Sequence, residues 1–172
     1  ANINLSLNSN LFANQLSLGN GIDLNGNALR LSATATKTYT FPLNDGNGNL
    51  IPVSVRLTSG SNFNTGDYIE VLTTAIKHPN NANTNNYLKR YWQVSTSGVS
   101  NPSYDITTTF AHSDIVGSDA EIAMGSWSGS LPWTKFGNAN TSANTITATG
   151  ISGSNPVTFS GITSDPPTVE IN

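Results

Sequence analysis

Tyr68-Ile69-Glu70-Val71-Leu72-Thr73-Thr74-Ala75-Ile76-Lys77 decides the fold class. It is the best helical candidate in the chain, and it still reads as strand. Tyr68, Ile69, Val71, Thr73, Thr74 and Ile76 are β-branched or aromatic. Such side chains lose χ1 freedom against a helical turn and pack well on a pleated surface. Outward from this stretch, short alternating runs are ended by Asn, Gly, Ser and Pro. They predict strands at Lys37–Phe41, Leu50–Leu57, Tyr68–Ile76, Tyr87–Ser95, Tyr104–Phe110, Glu121–Met124, Trp133–Phe136, Asn144–Thr149, Val157–Ser160 and Thr168–Ile171. Many short strands at regular spacing predict an all-β chain, an immunoglobulin-like or jelly-roll-like β-sandwich. Alternation within the runs assigns its core to Phe41, Val53, Val55, Ile69, Val71, Trp92, Val94, Ile106, Phe110, Ile122, Ile146 and Phe159.

The first residues carry a separate pattern: Ile3-x-Leu5-x-Leu7, Leu16-x-Leu18, Ile22-x-Leu24 and Leu29-x-Leu31, broken by Asn8-Ser9-Asn10, Gly19-Asn20-Gly21 and Asn25-Gly26-Asn27. Asn and Gly reach positive φ at low cost, so the breaks are turns. A small meander and a ladder of rungs both fit. The expected organisation is an N-terminal β segment at residues 1–35, a sandwich at residues 36–164, and a linker or the start of a further module at residues 165–172. Asp165-Pro166-Pro167 forms the stiff junction, since proline fixes φ and cannot donate to a ladder. Strand-like sequence at both ends reads as a slice of a longer protein.

Composition narrows the function. Only 10% of the 172 residues are charged, whereas 66 are Asn, Ser or Thr. A surface kept soluble by amides and hydroxyls depends little on salt or pH and suits an extracellular medium. Net charge is −3 and the longest basic cluster is Lys89-Arg90, so a nucleic-acid partner is not expected. No apolar run is long enough for a membrane span. With no cysteine, a disulfide framework, a thiolate metal site and a Cys nucleophile are excluded.

Each candidate site has a plainer structural reading. In Gly125-Ser126-Trp127-Ser128-Gly129, Trp127 stands where a nucleophile elbow needs Ser; a turn flanked by aromatics is expected instead. His112 and Asp114, two residues apart, cannot easily pair as base and orienter. Asp114, Asp119 and Glu121 read as solvated turn carboxylates and not as a glycosidase pair, which needs two carboxyls across a cleft. His78 and His112 are isolated, with no His-x-His spacing. Asp45-x-Asn47-x-Asn49 opens like a calcium loop, but its twelfth position is Arg56 where a bidentate Glu belongs; Asn44 to Asn49 reads as a hairpin turn. Gly19-x-Gly21 and Gly46-x-Gly48 lack the third glycine and following helix of a phosphate cradle. Catalytic residues, metal ligands and cofactors are therefore not expected. The remaining candidates are aromatic. Trp127 and Trp133 are the ligand-binding candidates, with Tyr91 and Tyr104 as companions in a sugar-stacking platform; the plainer reading puts these rings, Trp133 in Leu131-Pro132-Trp133 among them, in the core, and leaves Trp127, between serines and glycines, as the best candidate for an exposed aromatic.

Several motifs occur in a telling order. Thr40-Phe41-Pro42-Leu43, then Ile51-Pro52-Val53-Ser54-Val55, Tyr91-Trp92-Gln93-Val94, Tyr104-Asp105-Ile106-Thr107-Thr108-Thr109-Phe110, Trp133, and Thr145-Ile146-Thr147-Ala148-Thr149-Gly150-Ile151 with Phe159-Ser160 follow one another. Leu16-Ser17-Leu18-Gly19 through Leu31 precedes them. The series resembles modules of large Bacteroidota cell-surface proteins exported by the type IX secretion system, departing from them at Leu43-Asn44, where Gly is usual in the second place. The resemblance implies a non-catalytic repeat module serving adhesion, gliding or prey capture.

The expected function is thus a structural or adhesive module of an extracellular surface protein or filament, and not an enzyme. Its partners would be neighbouring modules or identical subunits, and surface glycans. The alternative is a carbohydrate-binding module that presents an aromatic face. A contiguous row of exposed aromatics on one sheet favours the second; edge strands that pair with a neighbour favour the first.

Overall fold

The computed structural model describes residues 21–24 and 26–164. Among the described residues twelve strands carry the fold: β1 (Ala28–Ser32), β2 (Thr38–Phe41), β3 (Val53–Ser61), β4 (Tyr68–Thr74), β5 (Tyr87–Leu88), β6 (Tyr91–Ser97), β7 (Ser100–Thr109), β8 (Ile115–Val116), β9 (Ile122–Trp127), β10 (Thr134–Asn138), β11 (Thr145–Ser152) and β12 (Val157–Thr163). Helix among the described residues is limited to two single turns of 3-10 type, His112–Asp114 and Asp119–Glu121.

The strands form a six-stranded sheet in the order β1-β4-β6-β12-β9-β10, a four-stranded sheet in the order β11-β7-β3-β2, and a β5-β8 ribbon. All ladder pairings are antiparallel. The pairs are nested along the chain: β6–β12 encloses β7–β11, which encloses β9–β10, and β3–β7 encloses β4–β6. Of the two windings expected, this nesting belongs to the jelly-roll-like one. The two large sheets share one core, and all twelve side chains assigned to it by alternation are at most 1% exposed. Trp92 lies at its centre, in register with Thr73 of β4 on one side and Phe159 of β12 on the other.

Strand boundaries depart from the sequence reading where backbone chemistry intervenes. β3 begins at Val53, not Leu50, because Pro52 has no N–H for the ladder; its carbonyl instead accepts from the Thr109 N–H at 3.0 Å. The single run expected over Tyr87–Ser95 is two strands. The chain breaks at Lys89-Arg90, where Arg90 turns inward and is buried.

The described part of the N-terminal segment is built into the sandwich. Ile22 bridges Leu43 in parallel, and β1 forms the edge of the large sheet against β4. Leu24, Leu29 and Leu31 are at most 2% exposed. Across position 35 the chain turns around the Tyr39 hydroxyl, which accepts from the Thr34 and Ala35 N–H groups at 2.9 and 3.1 Å and donates to the Ala35 carbonyl at 2.7 Å. The repeats from Ile3 to Leu18, the junction at Asp165 and the run Thr168–Ile171 lie outside the described residues.

Candidate functional site

The outer face of the six-stranded sheet follows from its register. Leu72, Gln93, Thr158 and Trp127 are successive cross-strand partners on β4, β6, β12 and β9. They alternate with the inward residues Val71, Trp92, Phe159 and Met124, so the four stand in one outward row. Thr134 pairs with Ser126, which sets Trp133, just before β10, beside Trp127. A neighbouring row carries Thr74, Tyr91, Ser160 and Gly125.

Four rings meet at the β9–β10 end of these rows. The Trp127 and Trp133 centroids are 5.2 Å apart with planes inclined at 46°. His78 stands edge-on to Trp133 at 4.9 Å and to Tyr91 at 5.1 Å, and tilted to Trp127 at 5.8 Å. His78 is buried, whereas Tyr91, Trp127 and Trp133 are each partly open to solvent. The imidazole is therefore a pedestal and the two indoles are the presented surface. Edge-to-face and tilted contacts of this kind are favoured by the ring quadrupoles.

The loop Pro79 to Asn86 fixes the pedestal. It is a chain of side-chain turns in which Asn side chains accept from backbone N–H groups a few residues on. Asn81 Oδ1 accepts from Asn83, and Asn83 Oδ1 accepts from both Asn85 and Asn86. Asn81 is buried and donates through Nδ2 to the Gly161 carbonyl at 3.3 Å, tying the loop to β12. His78 Nδ1 accepts from the Asn80 N–H at 3.2 Å, which leaves the ring proton on Nε2. Burial depresses the imidazole pKa, so the ring is neutral at pH 7. The Trp133 indole N–H donates to the Asn80 carbonyl at 3.2 Å, so the same loop holds one face of the platform.

Gly125 supplies the floor. A Cβ there would lie 2.7 Å from Ile162 Cδ1 and 3.0 Å from Trp133 Cε3. Only glycine lets the indole lie against β9. Two exposed aliphatic side chains flank the rings in sequence: Ile76, two residues before His78, and Leu131, two before Trp133, are 56% and 70% exposed. The polar neighbours are the Gln93 amide and two lysines. Gln93 Nε2 donates to Thr158 Oγ1 at 3.1 Å in the row that ends at Trp127. Lys135 on β10 donates to the Ser164 carbonyl, and Lys77 to the Asn83 carbonyl while lying 4.4 Å above the Tyr87 ring.

The structure thus brings together Trp127, Trp133 and Tyr91, three of the four aromatics that the sequence proposed. Tyr104 is elsewhere. It faces inward from β7 in the opposite sheet, fully buried, with burial pushing its phenol pKa up. Its alternation with Ile106 and Thr108 is that of an inward residue. In the sequence His78 stands out only as an isolated potential metal ligand. It lies on a loop, where no periodicity reveals what a side chain meets. Gln93 was legible, as the outward neighbour of Trp92.

The other candidates settle into structural roles. Ser126 pairs with Phe159, and β9 runs through Trp127 before the turn at Ser128. Asp114 departs from the solvated-carboxylate reading: it is buried and paired with Arg90. Asp45 Oδ1 accepts from the Asn47 and Asn49 N–H groups and Oδ2 from Asn49 Nδ2, closing the expected hairpin turn. Among the described residues, no three His, Asp or Glu side chains converge as metal ligands, and no helix is long and apolar enough to cross a membrane.

Comparison with protein-family models, with curated proteins and with solved structures returned no match.

Proposed function

We propose that this chain is a non-catalytic adhesive module of a larger extracellular surface protein, and that it attaches to its target by stacking sugar rings on the outer face of the six-stranded sheet. One observation carries the reading. Trp127 and Trp133, from opposite sides of a turn, form a partly exposed indole pair pinned by His78, Gly125 and the Asn80 carbonyl. The apolar face of a pyranose fits against such rings, and its hydroxyls need polar partners of the kind that the half-buried Gln93 amide provides. The sparsely charged composition and the ordered resemblance to Bacteroidota surface modules support the extracellular, adhesive part of the reading. The neighbouring modules of the parent chain would then serve as spacers that carry this face outward.

Retention on a panel of immobilised polysaccharides tests the proposal. The wild-type chain should be retained on at least one of them. The double variant Trp127→Ala, Trp133→Ala should lose retention at least tenfold while still unfolding in one cooperative transition, and the milder pair Trp127→Leu, Trp133→Leu should lose retention likewise with a smaller fall in melting temperature. Undiminished retention of the double variant would remove this face from the function.

A further inference from the structure

We infer that His78 is a positioning residue of the indole platform and its proton-operated release: the platform holds a ligand while the imidazole is neutral and loosens when the ring takes up a second proton. This rests on the adhesive reading above and adds the regulation of that same face.

The geometry is a relay of two hydrogen bonds through one residue. The Asn80 N–H donates to His78 Nδ1 at 3.2 Å, and the Trp133 indole N–H donates to the Asn80 carbonyl, also at 3.2 Å. Pro79 and Asn80 are exposed, whereas His78 and Asn81 on either side of them are buried. Asn81 is anchored twice, by its N–H to the His78 carbonyl at 2.9 Å and by Nδ2 to the Gly161 carbonyl at 3.3 Å. Residues 79 and 80 therefore form a short exposed bow between two fixed ends, and the bow carries the acceptor that holds Trp133.

A second proton must go to Nδ1, because Nε2 already carries one. The lone pair that received the Asn80 N–H is then spent, and two donors face each other with no acceptor between them. The ring cannot easily turn away, since Trp133, Tyr91 and Trp127 surround it at 4.9, 5.1 and 5.8 Å. The exposed bow gives way instead. Its carbonyl moves with it, and Trp133 loses the bond that sets its tilt against Trp127.

The surroundings offer the imidazolium no counter-charge. On its own loop Lys77 precedes it and reaches the Asn83 carbonyl and the Tyr87 ring. β6 brings the Tyr91 phenol and, one residue earlier, the Arg90 guanidinium, whose Asp114 partner is already closed at 2.7 Å. β10 brings the Lys135 ammonium, two residues beyond Trp133. β9 and β12 carry no ionisable side chain. Among the described residues His78 forms no ion pair. Burial then holds its pKa below 6.5, so the neutral, ligand-competent form prevails at pH 7 and is lost as pH falls through the folded value. Linkage makes the effect reciprocal: a ligand resting on the indoles makes the ring harder to protonate.

Two measurements on the whole chain test this. In NMR spectra of the histidine- and tryptophan-labelled chain, the Trp133 indole N–H should shift in step with the His78 ring as pH falls from about 7.5 to about 5. On xylan, mannan, laminarin and chitin resins, wild-type retention should fall roughly fivefold or more over the same range, whereas that of His78→Gln, neutral throughout, should change less than about twofold. His112→Gln, at the other histidine, should keep the wild-type profile. A Trp133 signal indifferent to His78 protonation, or wild-type retention equal at both pH values, would overturn the inference and leave the adhesive reading in place. A pH response that persists in His78→Gln would assign the effect to another group and defeat the inference equally. Retention on none of the resins at either pH would count against both readings.

Discussion

Arg90 Nε donates to Asp114 Oδ2 at 2.7 Å, and both side chains are buried. The pair closes the break between β5 and β6 onto the 3-10 turn that opens at His112. Asp114 Oδ2 also faces the Ala111 N–H at 3.4 Å, and the guanidinium approaches Thr73 Oγ1 at the same distance. Removing one partner leaves the other charge without compensation in a buried site, and that penalty exceeds the net worth of the pair. Asp114→Ala should therefore destabilise by about 3–5 kcal/mol in a denaturant melt, whereas replacing both residues with apolar side chains of similar volume should cost much less. Equal losses for the single and double replacements would show that the charge is not the cause.

The core makes two opposite predictions. Trp92 is fully buried between Thr73 and Phe159, so Trp92→Ala should cost about 3–5 kcal/mol, the range for emptying an aromatic site. A loss below about 1 kcal/mol would contradict its burial. Tyr104 is equally buried, but its hydroxyl has no hydrogen-bond partner among the described residues. Tyr104→Phe removes an unsatisfied oxygen and keeps the ring, so stability should hold or rise by about 1 kcal/mol.

The Asp45 turn gives an acid limb to stability. The Asn49 side-chain amide, followed by the Asn47 and Asn49 N–H groups, lowers the carboxyl pKa from 3.8 to about 2. The folded state therefore holds its proton less tightly than the unfolded chain. The stabilisation is complete above the unfolded value and is lost as pH falls through the folded one. Melting temperature should drop between pH 4 and pH 2 more steeply for the wild type than for Asp45→Asn. Both carboxylate oxygens already serve N–H donors, so a calcium chelator should leave the melting temperature unchanged. A fall of about 5 °C would reveal a bound ion.

His78 acts at milder pH. Burial lowers its pKa below 6.5, so the unfolded chain takes up the proton first. Stability should then decline as pH falls below about 6.5 and level off below the folded-state value. Protonation also removes the Nδ1 acceptor that the Asn80 N–H uses, which loosens the loop holding Trp133. His78→Gln should flatten the stability profile between pH 7 and pH 5, with the slope read from urea melts at each pH. An unchanged slope would place the titration in other groups.

Sequence alone determined the all-β class, the sandwich and the inward set. Side-chain direction alternates strictly along a strand, and the residues from Phe41 to Phe159 carry that period openly. The same rule placed Trp92 and Val94 inward and left Tyr91 and Gln93 outward. Only the tertiary structure decided which outward residues meet. Trp127 and Tyr91 share a face because β12 lies between β9 and β6, an order fixed by long connections and not by any local signal. His78 and Asn80 reach the indoles through a loop, where no period exists to read. The Arg90–Asp114 pair was hidden for the same reason: alone in sequence each looks like a solvated charge, and burial becomes tolerable only when folding brings the two within hydrogen-bonding distance.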